Sequence, residues 1–208
     1  MHDTLSRLHE GRRGTGTTLD RFRLNELVSQ LAFGGRVYRR IVSLAGVRPG
    51  EAVLDVGCSG GYLARKLADA AGPAGRVTGV DPSQAAITYA RRRATGATTF
   101  TVGVAQDLPL PDASFDAVTC TLAMHHVPAR QRAAAFREMY RVTKSGGRLL
   151  VADFDTAGRP LPLHAGGRRM RRAAATVGPL EELAAAAGYQ VGSTGRLPLL
   201  RYVVAIRT

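Results

Sequence analysis

The sequence predicts an α/β fold: a doubly wound parallel sheet with helices on both faces and an antiparallel pair at its end. Short β-branched and apolar runs alternate with amphipathic helical segments along most of the chain, which is typical of parallel strands joined by right-handed crossovers. The run Ala52–Val56 stops abruptly in glycines, as a buried strand does before a tight turn. The last two runs are separated by too few residues for a crossover, so we expect them to pair antiparallel.

Each element follows from its local pattern. Strands are indicated by apolar, β-branched runs bounded by glycine, proline or polar residues. They are predicted at Ala52–Val56, Arg76–Asp81, Thr98–Val102, Phe115–Thr121, Arg148–Asp153, Tyr189–Thr194 and Leu199–Ile206. Helices are indicated by apolar residues three and four positions apart, as at Leu63, Leu67 and Ala70. They are predicted within 19–46, at Tyr62–Ala71, from Pro82 to Arg93, at Pro128–Lys144 and at Leu180–Ala187.

Length and composition indicate one domain. A chain of 208 residues with 45% hydrophobic content can bury a sizeable core. Residues 1–18 are polar, basic and too rich in glycine to hold a helix, so a mobile arm is expected there. The single domain is expected to cover 19–208, with helices at 19–46 and an irregular insert at 155–178.

The positive net charge is weak evidence for a nucleic-acid partner. Lysine and arginine number 29 against 16 acidic residues, a net charge of +13. Lys66 and Lys144 are the only lysines, and this skew toward arginine resembles coding bias, which weakens a nucleic-acid reading. Cys58 and Cys120 fall in or beside predicted strands, as reduced cytosolic thiols do. No run is long and apolar enough to span a bilayer, so a cytoplasmic protein is expected.

Function is expected at the carboxyl ends of the strands, where open α/β sheets bind their ligands. The first strand carries Asp55 and runs into a glycine turn, and the second ends in Asp81. An acid at that point can accept hydrogen bonds from ribose hydroxyls, although Asp81 could also cap the helix that follows. A dinucleotide fingerprint would need glycine where Ser59 and Tyr62 stand, so NAD binding is disfavoured.

A family resemblance rests on an ordered set of motifs. They are Val53-Leu-Asp-Val-Gly-Cys-Ser-Gly-Gly61, Val77-Thr-Gly-Val-Asp81, Leu108-Pro-Leu-Pro-Asp-Ala-Ser-Phe-Asp-Ala-Val118, His125-His-Val127 and Arg141-Val-Thr-Lys-Ser-Gly-Gly-Arg-Leu-Leu150. Together they resemble class I S-adenosylmethionine-dependent methyltransferases, in particular the branch of the ubiquinone and menaquinone biosynthesis C-methyltransferases. The resemblance implies a three-layer Rossmann-like sheet of seven strands, with an antiparallel last strand, and S-adenosylmethionine as cofactor.

The resemblance also implies which residues bind the cofactor. Those expected around its methionine part are Asp55, Gly57, Cys58, Ser59 and Gly61. Those expected around its nucleoside and methyl group are Asp81 at the ribose, Pro82, Ala105 and Gln106 at the adenine, and Thr121 near the sulfonium. This chain departs from the family at Ser59, where a glycine is usual, and at Val104, where an adenine-binding aspartate is common. Both departures predict weaker binding of the cofactor.

The catalytic candidates are His125 and His126, which follow the fourth strand. An imidazole titrates near neutral pH and can take a proton from the acceptor or orient it. The same residues could instead serve packing at a helix start. No metal site is expected, because Cys58 and Cys120 have no further ligand at suitable spacing.

The sequence says least about the identity of the methyl acceptor. A small molecule is expected, such as a phenol, a quinone-like ring, an acidic carbon or an amine. His164 and the basic cluster Arg168–Arg172 lie in the insert and could face it, or could simply be solvated. Two alternatives stay open: an RNA methyltransferase and a non-catalytic interaction domain. Whether the protein forms a homodimer is left open as well.

Overall fold

A computed structural model describes residues 35–155 and 177–208. Several sequence-based expectations fall outside these ranges: the arm at 1–18, the start of the helical region at 19–34, His164 and the cluster Arg168–Arg172. The first described helix, α1, covers 35–45 and confirms the second part of the predicted helical region.

Seven strands and four further helices follow α1. The strands are β1 (Ala52–Val56), β2 (Arg76–Asp81), β3 (Thr98–Val102), β4 (Phe115–Thr121), β5 (Thr143–Phe154), β6 (Gln190–Leu197) and β7 (Leu200–Ile206). The helices are α2 (Tyr62–Ala71), α3 (Gln84–Arg92), α4 (Arg132–Val142) and α5 (Leu180–Ala186). Two short 3₁₀ turns, Met124–His126 and Ala129–Gln131, lie between β4 and α4.

The strands form one sheet in the order β3-β2-β1-β4-β5-β7-β6. The five strands from β3 to β5 are parallel, whereas β7 pairs antiparallel with both β5 and β6. The predicted fold class is therefore confirmed, including the antiparallel last strands. The strand order reverses at β1, so β1 and β4 bracket the point at which such sheets bind ligands.

Each face of the sheet has its own hydrophobic core. On one face, α4 and α5 bury side chains such as Phe136 and Leu180 against Leu54 of β1. On the other face, α1, α2 and α3 bury side chains such as Ile41, Leu67 and Ile87. All five residues of β1 are buried, because helices cover this central strand from both sides. The result is the three-layer arrangement that the sequence predicted.

The predicted helix Pro128–Lys144 is wrong at both ends. A 3₁₀ turn occupies Ala129–Gln131, and Thr143 already pairs with Phe115 as the first residue of β5. The Thr143 hydroxyl donates to the carbonyl of Met139 over 2.6 Å. In addition, Arg207 donates to the carbonyls of Tyr140, Arg141 and Thr143. Arg207, 66 residues from Arg141 in the sequence, thus helps to satisfy the last carbonyls of α4, which the local pattern does not reveal.

Smaller boundary differences occur elsewhere. Ser83 is the N-cap of α3, and its hydroxyl accepts a hydrogen bond from the Ala86 N–H over 3.2 Å. The helix therefore begins at Gln84 rather than at Pro82. In the antiparallel pair, β6 extends to Leu197, beyond the predicted end at Thr194. Among the described residues, no helix is both long and apolar enough to cross a lipid bilayer.

Candidate active site

The carboxyl ends of β1, β2 and β4 lie side by side. β1 pairs with β2 and β4 in register, so that Asp55 of β1 is opposite Gly79 and Thr119. The chain leaves these three strands at Gly57, Pro82 and Leu122. The sequence-predicted cofactor residues therefore lie at one edge of the sheet, as the topology requires.

The turn after β1 is held by hydrogen bonds to β2. The backbone N–H groups of Gly57 and Cys58 both donate to the carbonyl of Val80, over 2.7 and 3.0 Å. The N–H of Ser59 donates to Oδ2 of Asp81 over 2.9 Å. The turn thus depends on the end of the neighbouring strand for its shape.

The two predicted binding glycines have close protein neighbours. A Cβ built on Gly57 would overlap the Cβ of Ala123, and one built on Gly61 would lie 2.7 Å from the ring of Phe100. Both glycines also have positive φ, 75° and 78°. Residues other than glycine adopt this backbone conformation at a cost in free energy. Packing and backbone conformation thus suffice to explain these glycines.

Ser59 adopts the left-handed conformation without being a glycine. Its φ is 47°, a region that costs other residues free energy. The departure from the family pattern therefore does not remove the turn, because the Ser59 N–H keeps its bond to Asp81.

Asp81 connects the turn to the start of α3. Its Oδ1 accepts the N–H of Ser83 over 2.9 Å, while Oδ2 accepts that of Ser59. The alternative that Asp81 caps the helix is wrong, because Ser83 occupies that position. A carboxylate offers about four acceptor sites, of which these two backbone donors use part.

Asp55 is a buried carboxyl group whose partners leave one oxygen unmatched. Its Oδ1 accepts the hydroxyl of Thr119 over 2.9 Å. Its Oδ2 has no hydrogen-bond partner among the residues that the structure describes. Burial raises the pKa of Asp55 from 3.8 to about 7; the Thr119 hydroxyl and the backbone N–H of Ala64 oppose the rise, and the charge of Asp81 adds to it. A donor or cation reaching Oδ2 would favour the ionised form.

Thr121 supplies a second unmatched polar atom at this edge. It is the last residue of β4, and its buried Oγ1 also lacks a partner within the described ranges. The predicted adenine residues Ala105 and Gln106 lie in a tight turn that Val104 and Asp107 close. The N–H of Gly103 bonds to the carbonyl of Asp81 over 3.2 Å, which ties that turn to the end of β2. Pro82 is exposed at the same edge.

Both cysteines are free and buried. Burial raises the pKa of each thiol, and the negative charge of Asp55 contributes at both. A thiol held in its protonated form is a poor nucleophile. Within 35–155 and 177–208, no group of three or more His, Cys, Asp or Glu side chains is arranged to hold a metal ion.

The two candidate histidines differ in their surroundings. His125 lies in the 3₁₀ turn Met124–His126, and only 8% of its side chain is exposed. Its Nδ1 is 2.8 Å from Oδ1 of Asp153, and its backbone N–H donates to Oδ2 of Asp153 over 3.0 Å. The ring of His125 lies 4.0 Å from that of His126 and 5.0 Å from that of Phe154, centroid to centroid. His126 is exposed.

Asp153 is the residue at this edge that the sequence analysis missed. It is fully buried near the carboxyl end of β5. The signal was present, because the rule that singled out Asp55 and Asp81, an acid at the end of a buried strand, applies to it too. Its partner His125 lies 28 residues away in the sequence, and only the adjacency of β4 and β5 brings the two together.

Comparisons with known proteins find methyltransferases with similar sequences. The profile of the family described as "Methyltransferase domain" matches residues 53–147. The ubiquinone/menaquinone biosynthesis C-methyltransferase UbiE of Ectopseudomonas mendocina is 38% identical over 144 residues, 65% of this chain and 56% of its own length. The demethylmenaquinone methyltransferase of Symbiobacterium thermophilum is 39% identical over 121 residues, 56% and 47% of the two chains. The chain thus spans about half the length of these curated relatives.

A solved structure extends the likeness to the fold. The S-adenosylmethionine-dependent methyltransferase from Aquifex aeolicus superposes with a TM-score of 0.77 at 18% identity, over 91% of this chain and 98% of the other. The family profile covers the chain from β1 into β5. The fold is therefore that of S-adenosylmethionine-dependent methyltransferases, and the sequence is similar to the ubiquinone and menaquinone C-methyltransferases.

Proposed function

We propose that the chain is an enzyme that transfers a methyl group from S-adenosylmethionine to a quinone-type ring. The observation that carries this proposal is the turn after β1, whose N–H groups are bound to Val80 and Asp81 beside the unmatched Oδ2 of Asp55. The names of the curated relatives supply the substrate class, since they methylate carbon in ubiquinone and menaquinone biosynthesis.

The residues present fit S-adenosylmethionine. The cofactor carries an ammonium group and hydroxyls that need acceptors, and the site contains two acceptor oxygens without partners among the described residues, Asp55 Oδ2 and Thr121 Oγ1. We assign the methionine part to Asp55 and the turn Gly57–Gly61, the ribose to Asp81, and the adenine to Pro82, Ala105 and Gln106. Thr121 is assigned to the neighbourhood of the sulfonium. When bound, the cofactor supplies a methyl group on a positively charged sulfur, which keeps the electron pair of the bond that breaks.

The protein's own contribution is to position the acceptor and to remove a proton. A hydroquinone ring carries acidic O–H groups. Loss of a proton from one of them makes the neighbouring ring carbon a better nucleophile. We propose His125 as the group that accepts this proton, because Asp153 fixes both its ring and its backbone. His126 is assigned to orienting the acceptor, since it is exposed beside the His125 ring. General-base catalysis of this kind contributes about 10²- to 10⁴-fold.

The wider setting of the site stays a proposal too. We propose a single domain at 19–208, whose described residues form one sheet with helices on both faces. We also infer a cytoplasmic enzyme, which free, buried cysteines support. A homodimer is neither supported nor opposed by an observation on the described residues.

The decisive experiment is incubation of the protein with methyl-labelled S-adenosylmethionine and a panel of reduced quinones that lack one ring methyl group. Mass spectrometry should detect a labelled product with the methyl group on carbon. Label on oxygen would contradict the C-methylation, and label in RNA but in no quinol would favour the RNA alternative. Calorimetry with S-adenosylhomocysteine addresses the non-catalytic alternative, which predicts no binding at millimolar ligand.

A further inference from the structure

The buried pair formed by His125 and Asp153 bears on which ring nitrogen of the imidazole carries the proton. Asp153 is fully buried, and three nitrogen atoms lie within hydrogen-bond distance of its two oxygens. Oδ2 accepts the backbone N–H of His125 over 3.0 Å, and Oδ1 accepts the backbone N–H of Phe154 over 2.7 Å. Both oxygens therefore already act as acceptors before the His125 ring is considered.

The ring completes this arrangement through Nδ1. Nδ1 of His125 lies 2.8 Å from Oδ1 of Asp153. Because both oxygens of Asp153 already accept a backbone N–H, this contact favours Nδ1 as the donor and Oδ1 as the acceptor. The second ring nitrogen, Nε2, is then the one that lacks a proton in the neutral imidazole.

The ring is also held against rotation. The same turn that carries His125 is closed by hydrogen bonds from the N–H of His126 to the carbonyl of Ala123 and from that of Val127 to Met124, each over 3.0 Å. Phe154 lies edge-on to the ring at 5.0 Å. Arg132 Nε binds the carbonyl of Val127 over 3.0 Å and, itself buried, adds a positive charge that interacts with Asp153. These contacts together fix both faces of the turn.

We propose that Asp153 is a positioning residue that holds His125 with its proton on Nδ1 and leaves Nε2 to accept the proton of the methyl acceptor. The inference rests on the methyl transfer proposed above. The proton moves from an acidic O–H of the acceptor to Nε2, and the electron pair of that bond stays on the oxygen. As this pair forms a C=O bond, the electron pair of the ring C=C bond forms the new bond to the methyl carbon. The methylated ring carbon then loses its proton to water and the oxygen regains a proton from solvent, which restores the aromatic hydroquinone. The imidazolium then lies against the carboxylate of Asp153, which stabilises its charge.

The first test is the tautomer in the parent protein. Nitrogen-15 NMR of labelled histidine, with the His125 signals identified by their loss in His125→Gln, should show Nδ1 bearing the proton and Nε2 without one when the ring is neutral. The reverse tautomer would overturn the proposal. This measurement needs no substrate and no Asp153 variant, so it decides the matter even if the variants fail to fold.

The second test separates positioning from structural support. Asp153→Asn should lower kcat by about 100-fold, with KM for the acceptor and affinity for S-adenosylhomocysteine unchanged. Asp153→Glu, which restores the charge, should recover part of the rate. The matched control is Asp116→Asn, because Asp116 also accepts a backbone N–H, that of Ala52 over 2.8 Å, but from the opposite end of β4. It should reduce stability and leave kcat unchanged.

The two possible failures are distinguishable. A parent protein that binds no cofactor analogue and methylates no quinol would refute the proposed function. An active parent whose Asp153→Asn variant keeps its kcat would refute only the role of Asp153.

Discussion

The backbone N–H of Ser59 donates a hydrogen bond to Oδ2 of Asp81 over 2.9 Å, across 22 residues of sequence. The bond joins the turn after β1 to the end of β2, and Asp81 reaches the start of α3 through Ser83. One carboxylate therefore fixes the relative position of three segments. The affinity of any ligand that binds the turn therefore depends on the Asp81 side chain.

Replacing Asp81 by Ala should weaken S-adenosylhomocysteine binding by about 10- to 100-fold, because hydrogen bonds to a charged group contribute about 1.5 to 3 kcal/mol. Isothermal titration calorimetry measures this directly. Asp81→Asn retains an acceptor oxygen and should lose less. Unchanged affinity in Asp81→Ala would show that the ribose binds elsewhere.

Gly57→Ala should destabilise the protein by about 2 to 4 kcal/mol, since the new Cβ would overlap Ala123 and φ at this position is 75°. The double variant Gly57→Ala/Ala123→Gly removes the overlap and leaves the backbone cost. Denaturant unfolding of the four proteins in this cycle should give a favourable coupling free energy. A coupling of zero would mean that the two residues do not press on each other.

Ser59→Gly should stabilise the protein by about 0.5 kcal/mol. Glycine relieves the left-handed backbone, worth about 1 to 2 kcal/mol, but increases the entropy of the unfolded chain. Ser83→Gly is the matched control, because φ at Ser83 is −86° and its hydroxyl caps α3, so that variant should be destabilised. Thermal unfolding of both variants checks the sign, and a loss of stability in Ser59→Gly would contradict the prediction.

Asp55 should make stability fall with rising pH. Its carboxyl has a pKa of about 7 in the folded protein against an ordinary value of 3.8, so between these values the folded chain holds a proton that the unfolded chain has lost. The free energy of unfolding therefore decreases through this window, and the loss is complete above it. Asp55→Asn removes the effect.

The measurement is the difference in Tm between Asp55→Asn and the parent at several pH values. It should grow by several degrees from about pH 4 to about pH 8, because about 1 kcal/mol moves the Tm of a chain this size by about 2 to 4 °C. Asp69→Asn is the control, since Asp69 is exposed and pairs only with Lys66 in the described contacts. A parallel pH dependence in parent and Asp55→Asn would refute the assignment.

The ends of the first four strands were predictable because hydrophobic pattern is local, whereas β5 begins five residues before its predicted start at Arg148. Thr98–Val102 and Phe115–Thr121 are observed with the predicted bounds. The end of α4 was not predictable, because Arg207 at the far end of the chain satisfies its carbonyls. The same limit applies to the site: the motifs gave Asp55, Asp81 and the histidines, whereas the partner of His125 depends on which strands are neighbours.

Cys58 gives the turn after β1 a chemical reporter. Its thiol is buried at the centre of the turn, donates to the carbonyl of Ser59 over 3.7 Å, and has a raised pKa because of burial. This sulfur can therefore lose its proton and react with an alkylating reagent only when the turn opens. With Cys120 replaced by alanine, the rate of Cys58 labelling would measure how often the turn opens. A ligand that closes the turn would lower this rate.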